Sequence, residues 1–278
     1  PAAPTLSLNS DSGSSSSDGI TSANTVNVSG LEPGASWQYS TDGGSSWSNG
    51  TGTTFTLSAG QNTYQVRQTD AAGNVSGVSD AVVYTLDTAG PTVTISDDRS
   101  GTTNGLITYT ITFSEAVTGF EASDLTVANG TKGAFTKLSD TTYTLVVTPD
   151  ASAEGNVTVD IAANAAKDLA GNNSSAATQS VQPFDTLAPT APVVTQPTTP
   201  TNDNTVDLTI TAATGSVIRV YDGSTLLGIA AEGTGLNAGT YTLTTSPLAD
   251  GPHTITATAT DAVGNVSSAS TAVAFSVD

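Results

Sequence analysis

The chain has 278 residues, no cysteine and a formal net charge of −19, with six Lys plus Arg against 25 Asp plus Glu. That balance argues against nucleic acid and anionic membrane as partners, since both need basic patches, and the missing thiols exclude disulfides and thiolate metal sites. Only 11% of residues are charged, so the acidity sits at loops rather than in a disordered tail; Thr, Ser, Ala, Gly and Val are the commonest residues, and Thr and Val with the turn-forming Gly, Asn and Asp favour β structure.

Along the chain, Pro1-Ala2-Ala3-Pro4 reads like the tail of a linker, so an internal slice of a longer protein is expected. Thr5-Leu6-Ser7-Leu8 alternates as a strand, a Ser/Asp/Gly loop follows over residues 9–19, and Thr25-Val26-Asn27-Val28 is the next strand. Residues 37–40 and 45–47 flank the turn Thr41-Asp42-Gly43-Gly44 as a hairpin. Strands over 55–57 and 64–67 come next, and a long last strand is expected over 75–86. Residues 87–184 repeat the scheme, with strands over 92–95, 107–113, 143–147 and 157–161; residues 185–278 repeat it again over 206–210, 217–221, 241–243 and 253–257. About seven short strands per unit of 90-odd residues predicts an all-β chain of three tandem immunoglobulin-like sandwiches, over 1–86, 87–184 and 185–278. No stretch approaches the roughly 18 apolar residues that cross a bilayer, and no signal peptide or anchor is visible.

A double acidic mark sets the period. The turn Asp70-Ala71-Ala72-Gly73-Asn74 returns as Asp168-Leu169-Ala170-Gly171-Asn172 and as Asp261-Ala262-Val263-Gly264-Asn265. Each is followed 17 residues later by a second aspartate, at Asp87, Asp185 and Asp278. Asp87 and Asp185 open short linkers, Asp-Thr-Ala-Gly-Pro and Asp-Thr-Leu-Ala-Pro. A phase held through three copies means tandem domains.

These turns and linkers, the segment Phe113-Ser114-Glu115-Ala116-Val117-Thr118-Gly119-Phe120, the Trp37 to Trp47 hairpin and Leu248-Ala249-Asp250-Gly251-Pro252-His253-Thr254 resemble bacterial Ig-like repeats. Such repeats form the stalks of giant secreted, biofilm-associated adhesins. The resemblance covers essentially the whole chain. It implies an extracellular, cell-surface location, calcium ions that stiffen the domain junctions, neighbouring repeats of the same chain as the partners, and a host or surface ligand bound elsewhere in the parent molecule. It also implies a monomer with no catalytic activity and no direct insertion into a membrane.

Geometry leads to the same junctions. A strand of about 12 residues spans about 40 Å, so the two aspartates of one period lie at opposite poles. Asp87 must instead approach Asp168 and Asn172, and Asp185 must approach Asp261 and Asn265. Asp70 with Asn74, and Asp278, are then half-sites at the two ends. Converging carboxylates need a cation between them, and Ca2+ suits an all-oxygen site of about 6–8 ligands with loose geometry better than Mg2+ does. One His and no Cys leave no basis for softer metals. Asp-x-x-Gly-Asn is equally good turn chemistry, however. For the carboxylates of the other pole loops, Asp11 and Asp18, Asp97 and Asp98, and Asp203, ligand and solvated-turn readings both stand. Linkers of about five residues ending in Pro91 and Pro189 should hold the domains pole to pole, as a rod of roughly 120–130 Å.

Other motifs point less far. Residues 40–47 resemble an Asp-box, but one copy and three arginines (Arg67, Arg99, Arg219) cannot supply a sialidase propeller with its arginine cluster. Trp37 and Trp47 either pack on the core or each other, or form a sugar-stacking platform; the latter would make the first domain a ligand- or glycan-binding module, the alternative to a pure stalk. His253, the only histidine, follows Asp250-Gly251-Pro252 and is expected to be structural rather than catalytic.

Overall fold

The computed structural model describes residues 1–197 and 202–278. Among them every regular element is a β-strand apart from two single-turn 3-10 segments, Ala122–Asp124 and Gly235–Asn237. The strands fall into three successive sets, each around its own core. In the first, a sheet of Thr5–Leu8, Thr25–Ser29 and Thr54–Thr56 faces a sheet ordered Ile20–Thr21, Val82–Leu86, Gly60–Thr69, Ser36–Ser40 and Ser48–Asn49. Val26, Val28, Trp37, Phe55, Tyr64 and Val66 fill the space between them.

The second set shows why these sequences make sheets. Ile107–Phe113 buries Ile107, Tyr109, Ile111 and Phe113 and turns Thr108, Thr110 and Thr112 outward, so the two-residue side-chain period lays one apolar face on the core. Its sheet runs Gly130–Lys137, Thr142–Pro149, Ile107–Phe113, Val93–Asp97, and is closed by a second sheet of Leu125–Ala128, Glu154–Ile161 and Ser180–Asp185. In the third set, strand Thr225–Glu232 joins the two sheets into one continuous seven-stranded ladder. Most of it pairs with Val217–Asp222, while Ala231 and Glu232 pair with Thr242 and Tyr241. Leu208, Ile210, Ile218, Val220 and Ile255 lie in its core.

The long last strand of the first unit is regular only over Val82–Leu86. Residues 75–81 still run beside Gly60–Thr69, but their register slips. Val75 bridges Thr69, the Ser76 amide donates to the Gln68 carbonyl and that of Ser79 to the Val66 carbonyl, and regular pairing resumes at Tyr64 with Val82. Two residues are therefore accommodated as bulges. Serine hydroxyls take over the ladder bonds that this slip would lose. Ser76 Oγ accepts the Gln68 amide and Ser79 Oγ the Val66 amide, each at 3.0 Å. The device recurs at Ser267 and Ser270, which accept the amides of Ala259 and Ala257, and at Ser174, which accepts that of Ala166. Val75 meets one end of the ten-residue strand Gly60–Thr69 and Leu86 pairs with Gly60 at the other, so Asp70 and Asp87 lie at opposite poles.

Candidate metal centre at the domain junctions

Each Asp-x-x-Gly-Asn turn closes on itself. In the Asp168 turn, Oδ1 accepts the Asn172 amide at 2.8 Å, Oδ2 accepts Asn172 Nδ2 at 2.8 Å, and the Asp168 amide donates to the Asn172 carbonyl at 3.1 Å. The Asp70 and Asp261 turns repeat the pattern. Glycine is required within it because Gly73, Gly171 and Gly264 have φ of 89°, 92° and 97°, a region side chains disfavour. Hydrogen bonds from the Asn74 side chain and backbone hold the Asp70 carboxyl below its ordinary value. Burial pushes the Asp261 carboxyl up, but bonds from Asn265, Val263 and Gly264 outweigh it and leave the group lowered.

The asparagine also spans the junction. Asn172 Nδ2 donates to the Asp87 carbonyl at 2.9 Å, while the Asp87 amide donates to the Thr21 carbonyl of the first sandwich. Asp87 is thereby pinned from both sides. At the second junction Asn265 Nδ2 donates to the Asp185 carbonyl at 2.9 Å, and the Asp185 amide donates to the Thr103 carbonyl. The residue expected to offer an oxygen to a cation thus uses its nitrogen to bind the linker. It is the amide end that the turn carboxylate orients.

The first junction gathers more than the predicted pair. Carboxylate oxygens of Asp87, Glu115 and Asp168 lie within 4.8 Å of one another, and Asp168 is buried, with 2% of its surface exposed. None of the three makes an ion pair among the described residues. Burial, and then the charges of Asp87 and Asp168, push the Glu115 carboxyl up. Two carboxylates at that separation repel by roughly 3 kcal/mol at an effective dielectric of about 20. A hard cation with several oxygen ligands relieves that repulsion, so the donor set fits calcium. Sequence reasoning missed Glu115 as a ligand. The available signal was position: it follows strand Ile107–Phe113 by two residues, at the end of that strand where Phe113 pairs with Val93, just past the linker.

At the second junction Asp185, Asp261 and Asn265 come together through Asn265, with Nδ2 also 3.5 Å from Asp185 Oδ1, but no third carboxylate joins them among the described residues. The other candidates serve their own loops. Asp18 accepts the Ile20 amide, Asp11 the Gly19 amide and Asp97 the Arg99 amide. Asp98 accepts the Thr108 amide and pairs with Arg99, and Asp203 accepts the amide and hydroxyl of Thr205. Asp70 with Asn74, and the exposed Asp278, stand at the two ends of the chain.

The tryptophans do not pair. Trp37 is buried, with Nε1 donating to the Gly52 carbonyl, and a side chain at Gly50 would come within 2.3 Å of its ring. Trp47 is half-buried, and the Arg67 guanidinium lies over its ring at 4.2 Å. Asp42 ties its own hairpin through Ser40 and Ser46, which hold its carboxyl at about 2. His253 Nδ1 lies 2.6 Å from Asp222 and Nε2 lies 2.8 Å from the Ala249 carbonyl, a structural arrangement with no nucleophile in it.

Residues 87–183 match a family model described as Bacterial Ig-like domain, and residues 195–278 match a second model of the same description. No curated protein matches. Similar solved structures include a tetra-tandem repeat in the extending region of a large adhesion protein, 24% identical, covering 100% of this chain and 74% of that one with a TM-score of 0.28. A biofilm associated protein, its BSP domain, is 13% identical over 99% of this chain and 63% of that one, with a TM-score of 0.27. Invasin, a bacterial integrin-binding protein, is 14% identical over 99% and 60%, with a TM-score of 0.36. Overlaps of that size carry no weight for function.

Proposed function

Because this chain belongs to the bacterial Ig-like domain family, we propose that it is a spacer segment of a bacterial cell-surface adhesin whose junctions are stiffened by calcium. The cluster of Asp87, Glu115 and Asp168 is the observation that carries this reading. It lies where the linker enters the second sandwich, so an ion held there would fix the angle between neighbours. Asp185, Asp261 and Asn265 would serve the next junction in the same way. The work is mechanical: a row of sandwiches holds a binding tip of the parent protein away from the cell. No catalysis is required of any residue, and the partners of these domains are their neighbours in the same chain.

Calcium affinity should be moderate, on the order of 10⁻⁴–10⁻³ M, as in extracellular modules. Isothermal titration should show uptake that falls in the Asp168→Ala, Asp261→Ala double variant. Small-angle scattering in millimolar calcium should give a rod of roughly 90–120 Å, from about 30–40 Å per sandwich, that shortens on average in EDTA. The melting temperature should also drop in EDTA, because an ion that binds only the folded chain stabilises it by mass action. A compact particle in calcium, or a chain indifferent to chelation, would overturn this reading.

A further inference from the structure

The two junctions are built unequally. At the first, the 9–19 loop of the leading sandwich sits directly on the Asp168 turn. Ser12 Oγ donates to the Ala170 carbonyl at 2.6 Å. Gly13 packs so closely that a side chain there would lie 1.8 Å from the Leu169 carbonyl, and one on Gly171 would lie 3.1 Å from Gly13 Cα. At the second, the corresponding 98–106 loop reaches the Asp261 turn with one side chain. Asn104 Nδ2 donates to Asn265 Oδ1 at 3.3 Å, and a side chain on Gly264 would still find that nitrogen 3.6 Å away. The first contact combines close backbone packing with a short hydroxyl bond, and the second, among the described residues, is one long side-chain hydrogen bond.

The charged groups differ in the same direction. Ile111 pairs with Ile95 and Tyr143 as Ile210 pairs with Val194 and Tyr241, so the register sets Thr214 where the preceding domain has Glu115. The second junction keeps two carboxylates, Asp185 and Asp261. Its asparagine oxygen is already engaged by Asn104, whereas nothing among the described residues donates to Asn172 Oδ1.

We infer that the junction between the second and third sandwiches is the hinge of this segment, and that calcium closes the first junction at lower concentration than the second. The calcium half of this rests on the reading above; the hinge half rests on the contacts alone. Affinity in oxygen-ligated calcium sites follows the number of ligand charges and the rigidity of the site, so the two should differ by about tenfold or more. A segment with one stiff and one yielding joint would bend at a fixed place.

The chain lacks cysteine, so spin labels can be placed at will. Thr53→Cys with Ser139→Cys spans the first junction, and Ala151→Cys with Ser224→Cys spans the second, each pair with one label beside the junction and one a sandwich away; all four positions are exposed. Pulsed spin-label distance measurements on the full chain in EDTA should give a narrower distribution across the first junction than the second. During a calcium titration the first should narrow further at a concentration about tenfold lower than the second. Glu115→Gln should move the first transition up towards the second, and Thr214→Glu should move the second down. Equal widths in EDTA overturn the hinge. Coincident transitions, a second junction that closes first, or a Glu115→Gln variant that titrates as wild type overturn the ordering while leaving calcium stiffening intact. No calcium uptake at either junction overturns the ordering together with the calcium reading, and the EDTA widths still decide the hinge.

Discussion

Replacing Asn172 with alanine removes one amide that serves two domains. Its Nδ2 donates at 2.8 Å to Asp168 Oδ2 and at 2.9 Å to the Asp87 carbonyl, while its backbone bonds to Asp168 survive the change. The bond to the carboxylate is charge-assisted, and Asp168 is only 2% exposed, so water replaces the lost partner poorly. Such a bond contributes about 1.5–3 kcal/mol and the neutral one about 0.5–1.5 kcal/mol, which sums to a loss of about 2–4.5 kcal/mol. The larger share falls on the second sandwich. The smaller share, about 1 kcal/mol, is coupling to the first sandwich, since Asp87 also donates its amide to Thr21. Both tryptophans of the chain, Trp37 and Trp47, lie in the first sandwich. Fluorescence-detected urea unfolding therefore reads that sandwich, and circular dichroism reads all three. In EDTA the variant should lose about 1.5–3 kcal/mol in the second-sandwich transition and about 1 kcal/mol in the fluorescence transition. Asn74→Ala, whose amide among the described residues meets only the Asp70 carboxylate, should cost markedly less. An unmoved fluorescence transition would refute the bridging role, and a second-sandwich loss under about 0.5 kcal/mol would refute the account of the turn.

Ser174→Ala leaves the buried Ala166 amide without its acceptor and should cost the second sandwich about 1–3 kcal/mol in denaturant unfolding; a loss within error would mean that the bulge satisfies itself. His253 is held above its ordinary 6.5 by the Asp222 carboxylate and then the Ala249 carbonyl. Burial pushes Asp222 up, but bonds from His253 and the Thr254 amide outweigh it and leave the carboxyl lowered. The histidine's contribution is full below its unfolded value and fades as pH rises through the raised folded one; that of Asp222 fades as pH falls through its own lowered value. The third sandwich should therefore lose stability relative to His253→Gln as pH rises above about 6.5 and through the raised folded value, and NMR titration of the single imidazole should give a value above 6.5.

The fold was legible where burial imposes a period. Ile107–Phe113 and the middle of Gly251–Thr260 alternate cleanly because one face meets a core and the other meets water. Gly130–Lys137 and Thr225–Glu232 were not read as strands, since Gly130–Lys137 is an edge strand with two glycines and two lysines, and Thr225–Glu232 crosses between sheets. The long last strand was read as regular because nothing in Val75-Ser76-Gly77 announces a bulge; serine there looks generic until its hydroxyl is seen accepting a ladder amide. At the junctions, spacing alone brought Asp87 to Asp168 and Asp185 to Asp261. It could not say which end of the asparagine amide faces the linker, because that depends on the turn carboxylate already occupying the nitrogen's other proton. Glu115 was hidden for a different reason. It belongs to neither acidic mark and reaches the cluster through the end of a strand from elsewhere in the sheet.

The same aspartate performs two tasks, and they can be separated. Asp168 closes its turn with bonds to Asn172, and those bonds exist without any ion. A sandwich built this way folds on its core and its own turn chemistry, so an ion arriving later acts on the angle between domains rather than on the existence of each one. Variants at Asp168 disturb both tasks and cannot tell them apart. Glu115 touches the cluster but makes no bond of the turn. Its amide isostere therefore withdraws charge from the junction while leaving the turn and the Asn172 bridge in place. That makes Glu115→Gln the substitution in which stiffness and stability part company: the response of the first junction to calcium should weaken, while the unfolding of the second sandwich in EDTA stays as in the wild type or improves slightly through relieved repulsion.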